Sequence, residues 1–198
     1  MPQLSPMLLK GNQIQLWHIT ESFDELANIF SEKIPEYIYN YKNENHRKQL
    51  LAKHIILQKL QIDNLIYKNK NNKPLLHNKQ FISISHAQKF VGVGINDTPI
   101  GIDIETFTPK LHRISTRFIH PSETHYLQKN EDFRLLQIWT AKESIYKMFD
   151  LPGLSFKNDI KITQLDNQSG MAILHNKQKI NLFFNKLIKD TIICTANI

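Results

Sequence analysis

The segments of this chain run in one order twice: strand, helices, strands, and then again after residues 96–99 (NDTP), at a spacing of roughly 100 residues. In residues 12–20 (NQIQLWHIT), Ile14, Leu16 and His18 alternate with Gln13, Gln15 and Trp17, which reads as a first strand. ESFDEL then offers a helix start, with Thr20 or Ser22 as cap and Asp24 and Glu25 facing the helix dipole. Residues 47–66 space Leu50, Leu51, Ile55, Ile56, Leu60 and Ile66 as a long amphipathic helix region. The polar YKNKNNKPLLHNKQ reads as a loop, and FISISHA and FVGVGIND as a hairpin turning at Gln88 and Lys89. In the second half IGIDIETF is a strand, residues 111–149 are largely helical, and DIKITQL, GMAILHN, KINLFFN and TIICTAN are strands. No residue-level repeat accompanies this order. The expectation is an α+β fold of two pseudo-symmetric lobes, each a small, mostly antiparallel sheet with helices. The lobes would span residues 1–97 and 98–198, with a cleft between them.

The strand that opens the second half carries an unusual alternation. In IGIDIE, Ile100, Ile102 and Ile104 line one face while Gly101, Asp103 and Glu105 line the other. The first face asks for a core. The second aims two carboxylates, roughly 7 Å apart, at one space, a gap that suits a cation. Alone, such a pair is more often solvated than metal-binding.

Some forty residues on, QIWTAKESIYKMF has no Gly or Pro and a helical spacing of apolar residues, roughly every three to four. There Glu143 and Lys147 are i and i+4 on one face, Trp139 precedes them by a turn and Lys142 flanks that face. Taken singly, the Glu and Lys pair is a solvated helix pair worth about 0.3 kcal/mol, and Trp139 is core. In ISISHA, Ser85 and His86 could both donate to phosphate oxygens if the strand end opens into a cleft, or could simply be satisfied polar groups.

Charge adds a partner class. The net charge of +7 and pI near 9.4 favour an anionic partner, whether nucleic acid, phosphorylated cofactor or acidic protein. The one cysteine, Cys194, rules out an intramolecular disulfide and a cysteine zinc cluster. The opening MPQLSPMLLKGNQIQLW lacks the apolar core of a signal peptide, and no segment reaches the roughly 20 apolar residues of a membrane span. A cytoplasmic location without membrane association is expected.

Together NKP, SISH, GIDIE and WTAKESIYK resemble the 4′-phosphopantetheinyl transferases, specifically the monomeric, two-lobed type that activates surfactin synthetase and similar assembly lines. Their pattern is a G-[IV]-D-x-E strand followed by a [FW]-[STC]-x-K-E-x-x-x-K helix. Residues 101–105 and 139–147 fill both halves. The resemblance is clear over residues 72–147, looser over 47–60, and fades in the last forty or so. Asn72 stands where the pattern commonly has glycine, which leaves open the turn before Lys73.

The resemblance implies transfer of the phosphopantetheine arm of coenzyme A to a serine of an apo carrier protein, with release of adenosine 3′,5′-bisphosphate. It implies Mg²⁺ on Asp103, Glu105 and Glu143, Glu143 as the base for the carrier serine, and Lys147 beside the leaving group. Lys142 would contact the same phosphates, Lys73 and Pro74 would border the adenine, and Ser85 and His86 would touch the nucleotide phosphates. Arg47 would lie near the 3′-phosphate, and Glu123 fills a position that is often acidic in the family. The implied partner is an acidic carrier, not nucleic acid, so activity should fall with salt. Two lobes in one chain imply a monomer.

Two other readings compete. A metal-dependent nuclease also pairs acids on a strand with a lysine, commonly two residues after the second acid, but that position is Phe107. A basic RNA-binding protein would stack bases on strand aromatics, and NLFFNK puts Phe183 and Phe184 on opposite faces.

Overall fold

Hydrophobic alternation of period two and amphipathic stretches of period 3.6 sort this chain into two layered halves. The structure, a computed structural model, describes residues 5–9 and 12–198. The first half holds β1 (Ser5–Leu9), β2 (Asn12–His18), α1 (Phe23–Ile29), α2 (Glu44–Lys59), β3 (Ile66–Lys68), β4 (Pro74–Leu76), β5 (Phe81–Ala87) and β6 (Phe90–Asn96). The second holds β7 (Ile100–Thr106), α3 (Lys110–Phe118), α4 (Glu131–Phe149), β8 (Ile160–Leu165), β9 (Ser169–Leu174), β10 (Gln178–Ile188) and β11 (Thr191–Asn197). Short 3-10 turns at Glu36–Asn40, Asp63–Leu65 and Pro121–Gln128 join them.

The strands form a four-stranded sheet in the order β1-β2-β6-β5 and a five-stranded sheet in the order β7-β11-β10-β9-β8, with β3 and β4 as a separate hairpin. Every pairing is antiparallel. Each half repeats one connection. An early strand, the second of the first half and the first of the second, pairs with the last, which pairs with the next to last, as β2-β6-β5 and as β7-β11-β10. The α+β architecture with two similarly built lobes is therefore the one expected from the order of segments.

Side-chain periodicity then stacks the layers. Trp17, Val91 and Val93 share a core with Leu51, Ile55 and Ile56 of α2. Ile138, Ala141 and Ile145 of α4 pack with Ile192, Cys194 and Ala196 of β11. Between the sheets, Ile100, Ile102, Ile104 and Ile193 meet Ile14, Leu16 and Phe90. The isoleucines of IGIDIE thus fasten the second sheet to the first. On its other face β7 lies hard against α4, because a Cβ at Gly101 would overlap the Ser144 carbonyl oxygen and stand 2.9 Å from Met148 Cβ. Glycine at that position is what lets a carboxylate-bearing strand and a lysine-bearing helix share one groove.

Several boundaries differ from the sequence reading. Asn43 caps α2 by accepting the His46 N–H at 3.0 Å, so the helix starts before Arg47. It stops at Lys59 because Gln61 enters the left-handed region, with φ 56°. The stretch read as a loop contains the β3–β4 hairpin, whose turn is built by asparagines. Residues 111–149 divide at His120, whose side chain accepts the Ser122 N–H while Glu123 accepts that of His120, capping a new turn. At the first helix, of the two caps considered, Ser22 is the one used, in a reciprocal box with Glu25.

Candidate active site

Strand β7 pairs with β11 on one side only, so its outer N–H groups need other acceptors. Two serines of β5 supply them. The Ile102 N–H donates to Ser83 Oγ at 2.9 Å and the Ile104 N–H to Ser85 Oγ at 3.0 Å. Both hydroxyls are buried. This seam fixes β7 against the first lobe and aims Asp103 toward α4.

Asp103 is 3% exposed, and its Oδ1 accepts from Ser85 Oγ at 2.9 Å and from Lys147 Nζ at 2.6 Å. Lys147 also donates to Ser85 Oγ at 2.9 Å. Asp103 Oδ2 is buried with no hydrogen-bond partner. Burial raises the Asp103 pKa, and Lys147 opposes that shift. Glu105, two residues on, accepts from Trp139 Nε1 at 3.3 Å, which turns an aromatic of the α4 core into an orienting group for a carboxylate. Burial first, then the charge of Asp103, pushes Glu105 up to about 7. Glu143 on α4 is also pushed up to about 7, by burial and then by Asp103, with Lys147 opposing and Glu105 adding. Asp103, Glu105, Glu143 and Lys147 are therefore one electrostatic unit.

At the mouth, the His86 ring lies 5.6 Å from that of His46. Desolvation in the cleft, then His46 and Lys147, lower the His86 pKa. His46 had no signal of its own in the sequence. A cavity of about 210 Å³ opens beside Lys147, lined by Asn71, Asn72, Lys73, Pro74, Tyr146 and Asp150 among others. It is smaller than the roughly 300 Å³ of a whole-ligand pocket, so it suits one part of a larger molecule. A second cavity, about 710 Å³, lies at the other end of α4 and is lined by none of Asp103, Glu105, Glu143 or Lys147.

Four residues expected to meet the donor are engaged elsewhere. Lys142 is fully buried, and its ammonium donates to Glu123 Oε2 at 2.8 Å and to the carbonyls of Phe118, Phe156 and Ile160 at 2.7, 2.9 and 2.9 Å. One residue along a helix is a turn of 100°, so beside Glu143 it faces the core. Glu123 in turn accepts from the His120 and Ile162 N–H groups, each at 2.7 Å, and ties the segment after α3 to β8. The Ser85 hydroxyl is occupied by Asp103, Lys147 and Ile104. Lys73 Nζ donates to the Met148 carbonyl at 2.6 Å, although its stem still lines the cavity with Pro74. Arg47 lies 5.3 Å from the Phe23 ring, and the preceding residue, His46, is the one that meets His86. The turn before Lys73 is resolved by Asn72 itself, whose φ of 64° is the left-handed conformation that asparagine tolerates better than most residues.

A divalent cation fits the chemistry of this donor set. Oxygen ligands with an excess of negative charge, including the unpartnered, buried Asp103 Oδ2, suit a hard cation. As the side chains stand, Lys147 neutralises Asp103, and among the described residues no three His, Cys, Asp or Glu side chains are arranged to hold a metal ion.

Comparison with known proteins bears on the same residues. Residues 99–196 match the 4′-phosphopantetheinyl transferase superfamily. Among relatives, "4′-phosphopantetheinyl transferase gsp" of Aneurinibacillus migulanus is 32% identical over 138 residues, 66% of this chain and 57% of that protein. A "4′-phosphopantetheinyl transferase" of Bacillus subtilis is 33% identical over 104 residues, 50% of this chain and 46% of its own length. The chain thus spans about half the length of the curated relatives it matches. By its second half, the chain belongs to the 4′-phosphopantetheinyl transferase superfamily.

Proposed function

We propose that this superfamily member moves the 4′-phosphopantetheine arm of coenzyme A onto a serine of an apo acyl or peptidyl carrier protein, leaving adenosine 3′,5′-bisphosphate. The observation that carries the reading is the unit of Asp103, Glu105, Glu143 and Lys147 at the seam between the lobes, inside the matched residues. We divide those lobes at residues 97 and 98.

The reaction needs a proton acceptor for the serine hydroxyl and positive charge where the pyrophosphate breaks. Glu143, held near 7, is matched to the first task at neutral pH. As the serine oxygen bonds to phosphorus, the phosphoanhydride bond breaks and its electron pair leaves on the bisphosphate. Lys147 stands where that charge grows. His86 offers a ring N–H to a phosphate oxygen at the mouth. Mg²⁺, when bound by Asp103, Glu105 and Glu143, would neutralise the phosphoanhydride as it breaks. Ser85, Lys142 and the Lys73 ammonium support this set from behind.

The carrier is acidic in this reading, and α3 is where its charge would be met. Lys110, Arg113 and Arg117 share one exposed helical face, have no carboxylate partner among the described residues, and follow directly from the strand bearing Asp103 and Glu105. The chain acts as a monomer, in the cytoplasm where coenzyme A is available. No helix among the described residues is long and apolar enough to cross a membrane. The RNA-binding alternative loses its stacking surface, because Phe184 is 2% exposed within the core.

Incubation with coenzyme A, Mg²⁺ and a panel of apo carrier proteins tests the reading. A mass gain of one phosphopantetheine arm is expected. No gain on any carrier would overturn it.

A further inference from the structure

The turn joining β3 to β4 makes contacts that the chemistry above does not use. Asn69 organises the turn from within. Its Oδ1 accepts the N–H groups of Asn71 at 2.9 Å and Lys73 at 3.0 Å, and its backbone closes the turn with Lys73 and Asn72. That leaves its amide nitrogen pointing outward, where it donates to Asp150 Oδ2 at 2.7 Å. Asn71 Nδ2 donates to the same oxygen at 3.1 Å.

Asp150 is the C-cap of α4, in the left-handed region at φ 54° and ψ 49°, with its N–H donating to the Tyr146 carbonyl at 2.8 Å. Lys73 Nζ takes the Met148 carbonyl. The last turn of a helix has free carbonyls that need donors, and here one of those donors comes from a hairpin of the other lobe. The two captured carbonyls, of Tyr146 and Met148, flank Lys147. The hairpin thus reaches the backbone on one side of Lys147 directly, through Lys73 on the Met148 carbonyl, and on the other through Asp150, whose N–H holds the Tyr146 carbonyl while Asn69 holds its side chain.

We propose that Asn69 and Asp150 are a positioning pair, a clasp through which the cavity-lining hairpin holds Lys147 at the geometry it needs against Asp103. The inference rests on the transferase reading. Neither residue reacts. A ligand part seated between the hairpin and α4 would tighten the clasp, and a loosened clasp would let the Lys147 ammonium drift from its place.

Exchanging the two residues of the pair tests this. Asn69→Asp keeps the acceptor that builds the turn but sets a carboxylate against Asp150. Asp150→Asn, added to it, restores a donor and acceptor with their direction exchanged. The expectation is that Asn69→Asp lowers kcat about tenfold and raises the KM for coenzyme A, with the KM for carrier protein unchanged. The double variant should return to within about twofold of the parent. A merely structural role would lower the melting temperature and the active fraction without this split or this rescue. If Asn69→Asp does not fold, Asn69→Ser removes the amide donor more gently and should give the same split. A kcat unaltered in the single variant, or a double variant no better than the single at equal melting temperature, overturns the clasp. A parent chain that transfers nothing overturns the transferase reading instead. Hydrogen exchange at residues 146–150 then still reads the clasp, with unchanged protection in Asn69→Asp counting against it.

Discussion

The Lys147 ammonium sits 2.6 Å from Asp103 Oδ1, while Oδ2 of the same buried carboxylate has no partner. One oxygen is thus committed to holding strand and helix together, and the other is left for something not supplied by the chain. Removing either residue should therefore separate chemistry from fold. Asp103→Asn and Glu143→Gln keep shape and lose charge, and both should abolish transfer while circular dichroism stays that of the parent. Equal loss of structure would make these acids structural. Lys147→Ala should reduce kcat by about 100-fold, and an effect confined to the KM for coenzyme A would argue against a role in the chemical step.

A divalent cation held as proposed would compete with protons for the same carboxylates. Glu105 and Glu143 rise from an ordinary 4.5 to about 7 in the fold, so the folded state binds more protons than the unfolded state between those values. Their contribution to stability is fully present below 4.5 and is lost as pH rises to about 7. In chelator, the melting temperature should fall across that window, and Mg²⁺ should recover it most at the alkaline end. Replacing both acids with glutamine should flatten the profile. A melting temperature that rises with pH across the window would contradict these shifts.

Lys142 and Glu123 form an ion pair with both side chains fully buried. Lys142→Met leaves the Glu123 carboxylate buried and unpaired, a loss of about 3–5 kcal/mol. Chemical denaturation should register that loss. The affinity of the remaining folded protein for coenzyme A should be close to the parent's. Weakened affinity at full stability would instead put Lys142 in the donor site.

Gly101 sets the spacing of β7 and α4. A methyl group there would collide with the Ser144 carbonyl and press on Met148, and backbone cannot turn aside as a side chain can. Gly101→Ala should cost about 3 kcal/mol or more and reduce soluble yield. A soluble Gly101→Ala protein with normal transfer would mean that the helix can retreat without moving Glu143.

Electrostatic docking should show in the salt dependence. Arg113→Glu and Arg117→Glu reverse charge on the exposed face of α3, which contributes nothing to the carboxylate site. They should raise the KM for carrier protein and flatten its rise with ionic strength, leaving the KM for coenzyme A alone. An unaltered salt profile would place the acidic partner elsewhere.

Much of this arrangement was legible in the sequence because it is periodic. Alternation placed Asp103 and Glu105 on one strand face, and i, i+4 spacing placed Glu143 and Lys147 on one helix face. The four converge because β7 lies directly against α4 at Gly101. What a spacing cannot tell is which way a polar group turns once its neighbours are in place. Lys142 lies one residue from Glu143, yet its four acceptors come from residues 118, 123, 156 and 160, brought together only by the packing of α3, α4 and β8. Ser85 was read as a donor to phosphate because strand ends often meet ligands, but its hydroxyl proton goes to Asp103 Oδ1 while its oxygen accepts the Ile104 N–H. The β3–β4 hairpin was missed because its strands have three residues each, too few for a pattern. Its turn rests on asparagine side chains that composition alone reads as loop.

The serine seam along β7 has another consequence. A strand with one bare edge is a template for a foreign strand, and the isoleucine-rich segment 100–104 would be an inviting one. Ser83 and Ser85 occupy the Ile102 and Ile104 N–H groups with side-chain oxygens, which cannot extend a ladder. The first lobe therefore acts as a guard against self-association for the second. Expressed without it, the second lobe would keep its acids but expose its sheet edge, and the fate of that fragment would be decided by aggregation before chemistry.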